Sequence, residues 1–113
     1  MGEEIIESEF TFYAVADVSE VPNGTRIFLT IGEENIVVFN IAGKLFAMGD
    51  VCTHDGGPVG EGELVDGYTV ICPRHGARFD VRTGKALALP AFIDAPSYPV
   101  RVNGSDIEVG IRD

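Results

Sequence analysis

With 113 residues, 45% of them hydrophobic, the chain has room for one domain and one modest core. A formal charge of -10 and a pI near 4.4 repel phosphates, which argues against nucleic acid and anionic lipid surfaces as partners. The opening stretch MGEEIIESEF lacks the basic start and apolar core of a secretory signal, and no apolar run approaches the length of a membrane span, so the expected location is the cytoplasm.

In chain order, the first predicted element is one helical turn around Asp17 to Glu20, which Asp17 can cap; 14 glycines and 6 prolines interrupt anything longer. The runs that follow are rich in β-branched and aromatic residues: RIFLTI (26–31), NIVVFNI (35–41), KLFAM (44–48), YTVI (68–71), YPVRV (98–102) and DIEVGI (106–111). Gly32-Glu33-Glu34, Ala42-Gly43, Asp80 to Gly84 and Asn103-Gly104-Ser105 read as the turns of hairpins. In the last run Ile107, Val109 and Ile111 share one face, as a strand with one buried side requires, and the run before it is its expected partner. The expected class is all-β, with residues 1–113 forming a single domain.

Two stretches break the strand pattern. Between about Gly49 and Gly62 glycine crowds in and the apolar alternation lapses, which reads as a loop insertion and not as a domain boundary. The stretch LALPAFIDAPSYP (87–99) carries three prolines and is expected to wrap back over the same end of the sheet.

Both cysteines and both histidines of the chain fall within residues 52–75, as Cys52-x-His54, 17 intervening residues, then Cys72-x-x-His75. Two cysteines are too few for a disulfide framework, and a histidine follows each within three residues, which favours a metal. A zinc finger of this composition draws both cysteines from one knuckle and both histidines from a helix, whereas here each loop offers one thiolate and one imidazole. That interleaving suits a two-iron centre, with both thiolates on one iron, both imidazoles on the other and two sulfides between. A zinc-stabilised interaction module remains the alternative use of the same four side chains.

The pattern C-x-H-x17-C-x-x-H, with CPRHG and a following FD, resembles the Rieske two-iron two-sulfur domain, and KLFAMGDVCTH and FDVRTGKAL extend the likeness over about residues 44–88. The resemblance implies a Rieske fold: an antiparallel β sandwich or barrel base carrying a small inserted cluster-binding subdomain, here approximately 49–88. It also implies one [2Fe-2S] cluster with Cys52, His54, Cys72 and His75 as its ligands, and one-electron transfer as the activity. Gly56, Gly57 and Gly76, lacking a Cβ, would let backbone N–H groups approach sulfur. Pro73 stiffens the second loop, and a proline of the 87–99 stretch, Pro90, is expected to shield the cluster from water as a third loop does in the family. Arg74 and Arg78 are candidates for partner docking or for local pairing with Asp55 or Asp80.

The chain departs from the family's quinol-oxidising branch, which adds a disulfide-forming cysteine to each loop and places a serine and a tyrosine where this chain has Ala77 and Phe79. Without those hydrogen bonds to sulfur the reduced cluster is less stabilised, so the expected potential lies at the low end of the Rieske span of roughly -150 to +300 mV. With both histidines committed, no oxygen-activating iron site of two histidines and a carboxylate is left in the chain. The resemblance therefore implies not an enzyme but a monomeric soluble ferredoxin. It would take electrons from a flavoprotein reductase and pass them to the terminal oxygenase of a bacterial aromatic-ring dioxygenase system. The small subunit of an assimilatory nitrite reductase is the second reading.

Overall fold

A computed structural model describes residues 9–53, 56–74, 76–89, 91 and 93–113. Through them run β1 (Phe10–Asp17), a single 3-10 turn (Val18–Glu20), β2 (Arg26–Ile31), β3 (Glu34–Ile41), β4 (Lys44–Gly49), β5 (Leu64–Val65), β6 (Thr69–Ile71), β7 (Arg78–Asp80), β8 (Ala86–Ala88), β9 (Ser97–Tyr98), β10 (Val100–Asn103) and β11 (Asp106–Arg112). All strand pairs are antiparallel, in sheets of order β1-β11-β10, β2-β3-β4-β9 and β5-β6-β7-β8. Among the described residues no helix is long and apolar enough to cross a membrane.

The first two sheets form a sandwich. Ile36, Val38 and Ala47 of one meet Val109 of the other in a shared core, with Ile27, Leu29, Val100 and Ile111 packed around it. The third sheet lies in the chain between β4 and β9 and packs on the opposite face of β3 and β4, against Val37, Phe39 and Met48. This explains the unbroken apolar run NIVVFNI: Ile36, Val37, Val38 and Phe39 are all fully buried, alternately toward the two cores. An edge-on contact of Phe46 with Tyr68, centroids 5.7 Å apart, also ties β4 to the small sheet.

Most expected elements are present, with three kinds of difference. Asp17 caps the 3-10 turn as expected, its carboxylate accepting from the Ser19 amide while Glu20 accepts from the Asp17 amide. The run 98–102 is split at Pro99: its first part joins β4 and its second joins β11, so the chain crosses between the two base sheets there. β1 is an additional strand, paired with β11 through a bulge at Ala14/Ala16, and its Phe12 ring lies against Gly110, where a Cβ would stand 3.0 Å from the ring. The short strands β5, β7 and β8 are also additional, and β7 and β8 flank the expected turn after Asp80.

Candidate functional site

The two cysteines end neighbouring limbs of the structure and belong to one core. Cys52 follows β4, Cys72 follows β6, and both are buried in the cluster that includes Val59, Val70, Ala77, Phe79, Ala91 and Ala95. His54 and His75 lie outside the described residues, as do Asp55 and Pro90.

The two loops share one hydrogen-bond pattern. The Cys52 N–H donates to the Gly57 carbonyl at 2.6 Å, and the Gly56 N–H donates back to the Cys52 carbonyl at 2.6 Å. At the second loop the Cys72 N–H donates to the Ala77 carbonyl at 2.7 Å, and the Gly76 N–H donates to the Cys72 carbonyl at 3.1 Å. In each case the fifth residue of a six-residue loop is a glycine in the left-handed region, φ +79° at Gly56 and +77° at Gly76, where a side chain would be strained. The amides of these glycines therefore close the loops internally.

Gly57 serves another purpose again. A Cβ there would stand 2.2 Å from Nη2 of Arg74, whose side chain crosses from the second loop to the first and donates from Nη1 to the Pro58 carbonyl at 3.3 Å. Arg74 thus bridges the two cysteine-bearing loops. Asp80 is held by Arg82, not by Arg78: the Arg82 guanidinium approaches its carboxylate at 2.9 and 3.1 Å and lies over the Tyr68 ring at 4.2 Å. Burial pushes the Asp80 carboxyl up, but the hydrogen bonds and charge of Arg82 outweigh it and hold the group below its ordinary value.

A third segment closes over the loops. Ala91 and Ala95 enter the same core as the cysteines, and the Thr53 hydroxyl donates to the Ile93 carbonyl. Ala77 and Phe79 are fully buried, so the positions after the second loop present apolar side chains and no hydroxyl donor. Leu87, Leu89 and Ile93 are exposed at 48, 75 and 59%, so this segment carries apolar side chains that the described core does not cover.

Asp50 and Arg26 are contacts that the sequence does not suggest. The Asp50 carboxylate accepts from the amides of Val59 and Gly60, and Arg26 of β2 donates to the carbonyls of Gly60 and Gly62. The only sequence trace is two glycines within a run that has no strand pattern.

Two buried thiols, free of disulfide bonding and borne on matched loops with histidine in each, fit a metal cluster with mixed thiolate and imidazole ligation. The molecule is thus an all-β protein with a candidate metal centre. Residues 11–99 match the model of the Rieske [2Fe-2S] domain, and the chain belongs to that family. It is 42% identical over 96 residues to the 3-phenylpropionate/cinnamic acid dioxygenase ferredoxin subunit of Shigella boydii serotype 4 (strain Sb227), covering 85% of this chain and 90% of the relative. Its fold matches the ferredoxin of carbazole 1,9a-dioxygenase from Nocardioides aromaticivorans IC177 with a TM-score of 0.80 at 28% identity, over 88% of this chain and 96% of that one. It also matches a chain in a complex of reduced oxygenase and oxidized ferredoxin in carbazole 1,9a-dioxygenase, with a TM-score of 0.79 at 28% identity over 87% and 91% of the two chains. The Rieske fold, the [2Fe-2S] cofactor and the role of electron carrier, not enzyme, follow from this membership.

Proposed function

We propose that the protein carries single electrons from a flavoprotein reductase to the terminal oxygenase of an aromatic-ring dioxygenase system, in the cytoplasm and as a monomer. Cys52 and Cys72 would hold the inner iron of a [2Fe-2S] cluster and His54 and His75 the outer one, with residues 49–88 as the cluster-binding part of one domain spanning 1–113. The cluster, when bound, supplies a one-electron couple. The observation that carries the ligand reading is the matched pair of loops, which presents two buried cysteines from equivalent positions of one core.

The chain's own residues do the rest. Burial of the loop ends in an apolar core excludes water from the thiolate side, and Arg74 ties the loops so that two thiolates can serve one metal. Ala77 and Phe79 offer sulfur no hydroxyl donor, which favours a potential low in the Rieske range. The oxygenase as recipient is supported by the relatives named as ferredoxin subunits and by the ferredoxin–oxygenase complex. Those names do not favour the nitrite reductase reading.

The test is anaerobic purification, iron and sulfide analysis, and EPR of the reduced protein with detection of nitrogen coupling. Two irons and two sulfides per chain with coupling from two imidazoles are expected. Replacement His75→Cys should lower the potential or lose the cluster. Zinc as the sole metal, or a cluster without nitrogen coupling, overturns the reading.

A further inference from the structure

Extending the second ligand loop outward from the Cys72–Ala77 pair leads directly into a β ladder, where Ile71 pairs with Arg78 and Val70 with Phe79. The first loop cannot be closed in this way. Its incoming limb leaves β4, which already has β3 on one edge and β9 on the other. The Gly49 amide donates to Pro96 and the Asp50 amide to Asn35, so both are committed to the base. At the next position out on the returning limb, Pro58 has no N–H to offer. The amides of Val59 and Gly60 still need acceptors as they enter a buried region.

The Asp50 carboxylate fills that gap. Its Oδ1 accepts from Val59 N at 3.0 Å and from Gly60 N at 2.6 Å, so a side chain stands where Val70 and Phe79 use backbone in the second loop. The carbonyl of the same Gly60 accepts from Arg26 Nη1 at 2.6 Å, and that nitrogen also donates to the Gly62 carbonyl at 2.8 Å. The Arg26 guanidinium is itself seated over the Phe39 ring at 4.9 Å. Residue 60 has to be glycine for this grip, since a Cβ would stand 2.9 Å from Asp50 Oδ1 and 2.8 Å from the Phe28 ring. One residue, Gly60, is thereby held by a carboxylate at its N–H and a guanidinium at its carbonyl, both of them anchored on the base sheet.

We infer that Asp50 and Arg26 form a latch that positions the first ligand loop, a charged side-chain substitute for the β ladder that closes the second. Both are positioning residues acting on the cluster through the backbone of residues 52–60, and the inference rests on Cys52 being a cluster ligand. Charge-assisted bonds to backbone are stronger than neutral ones, so a short latch holds a loop that has no strand of its own.

The test compares holoprotein carrying Asp50→Asn, which removes the charge but keeps an acceptor oxygen, with Asp50→Ala, which removes both. In Asp50→Ala the amides of Val59 and Gly60 should exchange about tenfold faster or more, as expected for loss of charge-assisted bonds. The EPR line shape should broaden and the cluster bleach several-fold faster, while Asp50→Asn, which keeps the acceptor without its charge, falls between Asp50→Ala and the parent in all three. Exchange, line shape and bleaching in Asp50→Ala equal to those of the parent would overturn the latch. Should Asp50→Ala not fold, Arg26→Met asks the same question at the Gly60 carbonyl, with Arg26→Lys as the charge-keeping control, and a parent-like Arg26→Met is equally fatal. Parent protein without a [2Fe-2S] signal would instead strike the functional reading, a result separate from equality between a variant and its cluster-bearing parent.

Discussion

Arg74 on the loop of Cys72 lies so close to Gly57 on the loop of Cys52 that a Cβ at Gly57 would stand 2.2 Å from its Nη2. The obstructing atoms are the far end of a flexible side chain, which can move away. Gly62 is different: a Cβ there would stand 1.8 Å from the backbone oxygen of Ile71, which cannot yield without moving β6. Gly57→Ala should therefore cost about 1 kcal/mol or less in stability, whereas Gly62→Ala should cost roughly 3 kcal/mol or more. Denaturant melts check the ranking, and Gly57→Ala should still shorten the lifetime of the bound cluster because the bridge between loops is displaced.

Arg82 links three groups, pairing with Asp80 while covering Tyr68, whose ring meets Phe46 of the base. The Asp80 carboxyl is held below its ordinary value of 3.8, so the stability it contributes is present above that value and is lost as pH falls through the depressed one. Arg82→Met removes the partner. Its melting temperature should fall below the parent's by about 2–4 °C near neutral pH, a modest amount because Arg82 is half exposed. The gap should narrow as pH falls through the depressed value, where the Asp80 carboxyl becomes protonated in both proteins. Thermal melts of the two proteins across this range test the sign, since acid loss of a bound cluster affects both alike.

How far the sequence reveals the molecule depends on the separation over which each feature is determined. The two matched loops are legible because cysteine, histidine and glycine stand at close spacing in each. The long strands were legible because Ile107, Val109 and their like declare a period of two. β5, β7 and β8 are only two or three residues long, too short to show a period, and exist because the small sheet assembles on Val37, Phe39 and Met48. The Asp50–Gly60 and Arg26–Gly60 contacts span 10 and 34 residues and depend on which limb the base sheet has already enclosed. No local pattern announces them.

Phe79 and Ala77 are both fully buried just beyond the second loop, the apolar positions on which the expected low potential rests. Supplying a hydroxyl donor at each, as Ala77→Ser and Phe79→Tyr, should stabilise the reduced and more negative cluster. A hydrogen bond that favours the reduced state by about 1.4 kcal/mol corresponds to a rise of roughly 60 mV for a one-electron couple. Protein-film voltammetry of the two variants reads this directly. A potential that stays level or falls in both would show that these positions do not face cluster sulfur.

Removal of the metal should unfold the molecule unevenly. The base sandwich has a core of its own, in which Ile36, Val38, Ala47 and Val109 meet without either cysteine. The second core is built around Cys52 and Cys72 and holds the small sheet and the covering segment through Ala91 and Ala95. Ligand binding stabilises the state that binds it, and a cluster that joins two loops stabilises every element that depends on their spacing. Chelation of iron under reducing conditions should therefore leave β1 to β4, β10 and β11 protected in hydrogen exchange. Protection should be lost in residues 52–62, 72–80 and 91–95. Cys72→Ser should reproduce that pattern without chelator, since it removes one of the two buried thiols while leaving the sandwich core intact. Uniform loss of protection across both cores would mean that the cluster supports the whole fold, and no loss at all would mean that the loops are held by their internal hydrogen bonds alone.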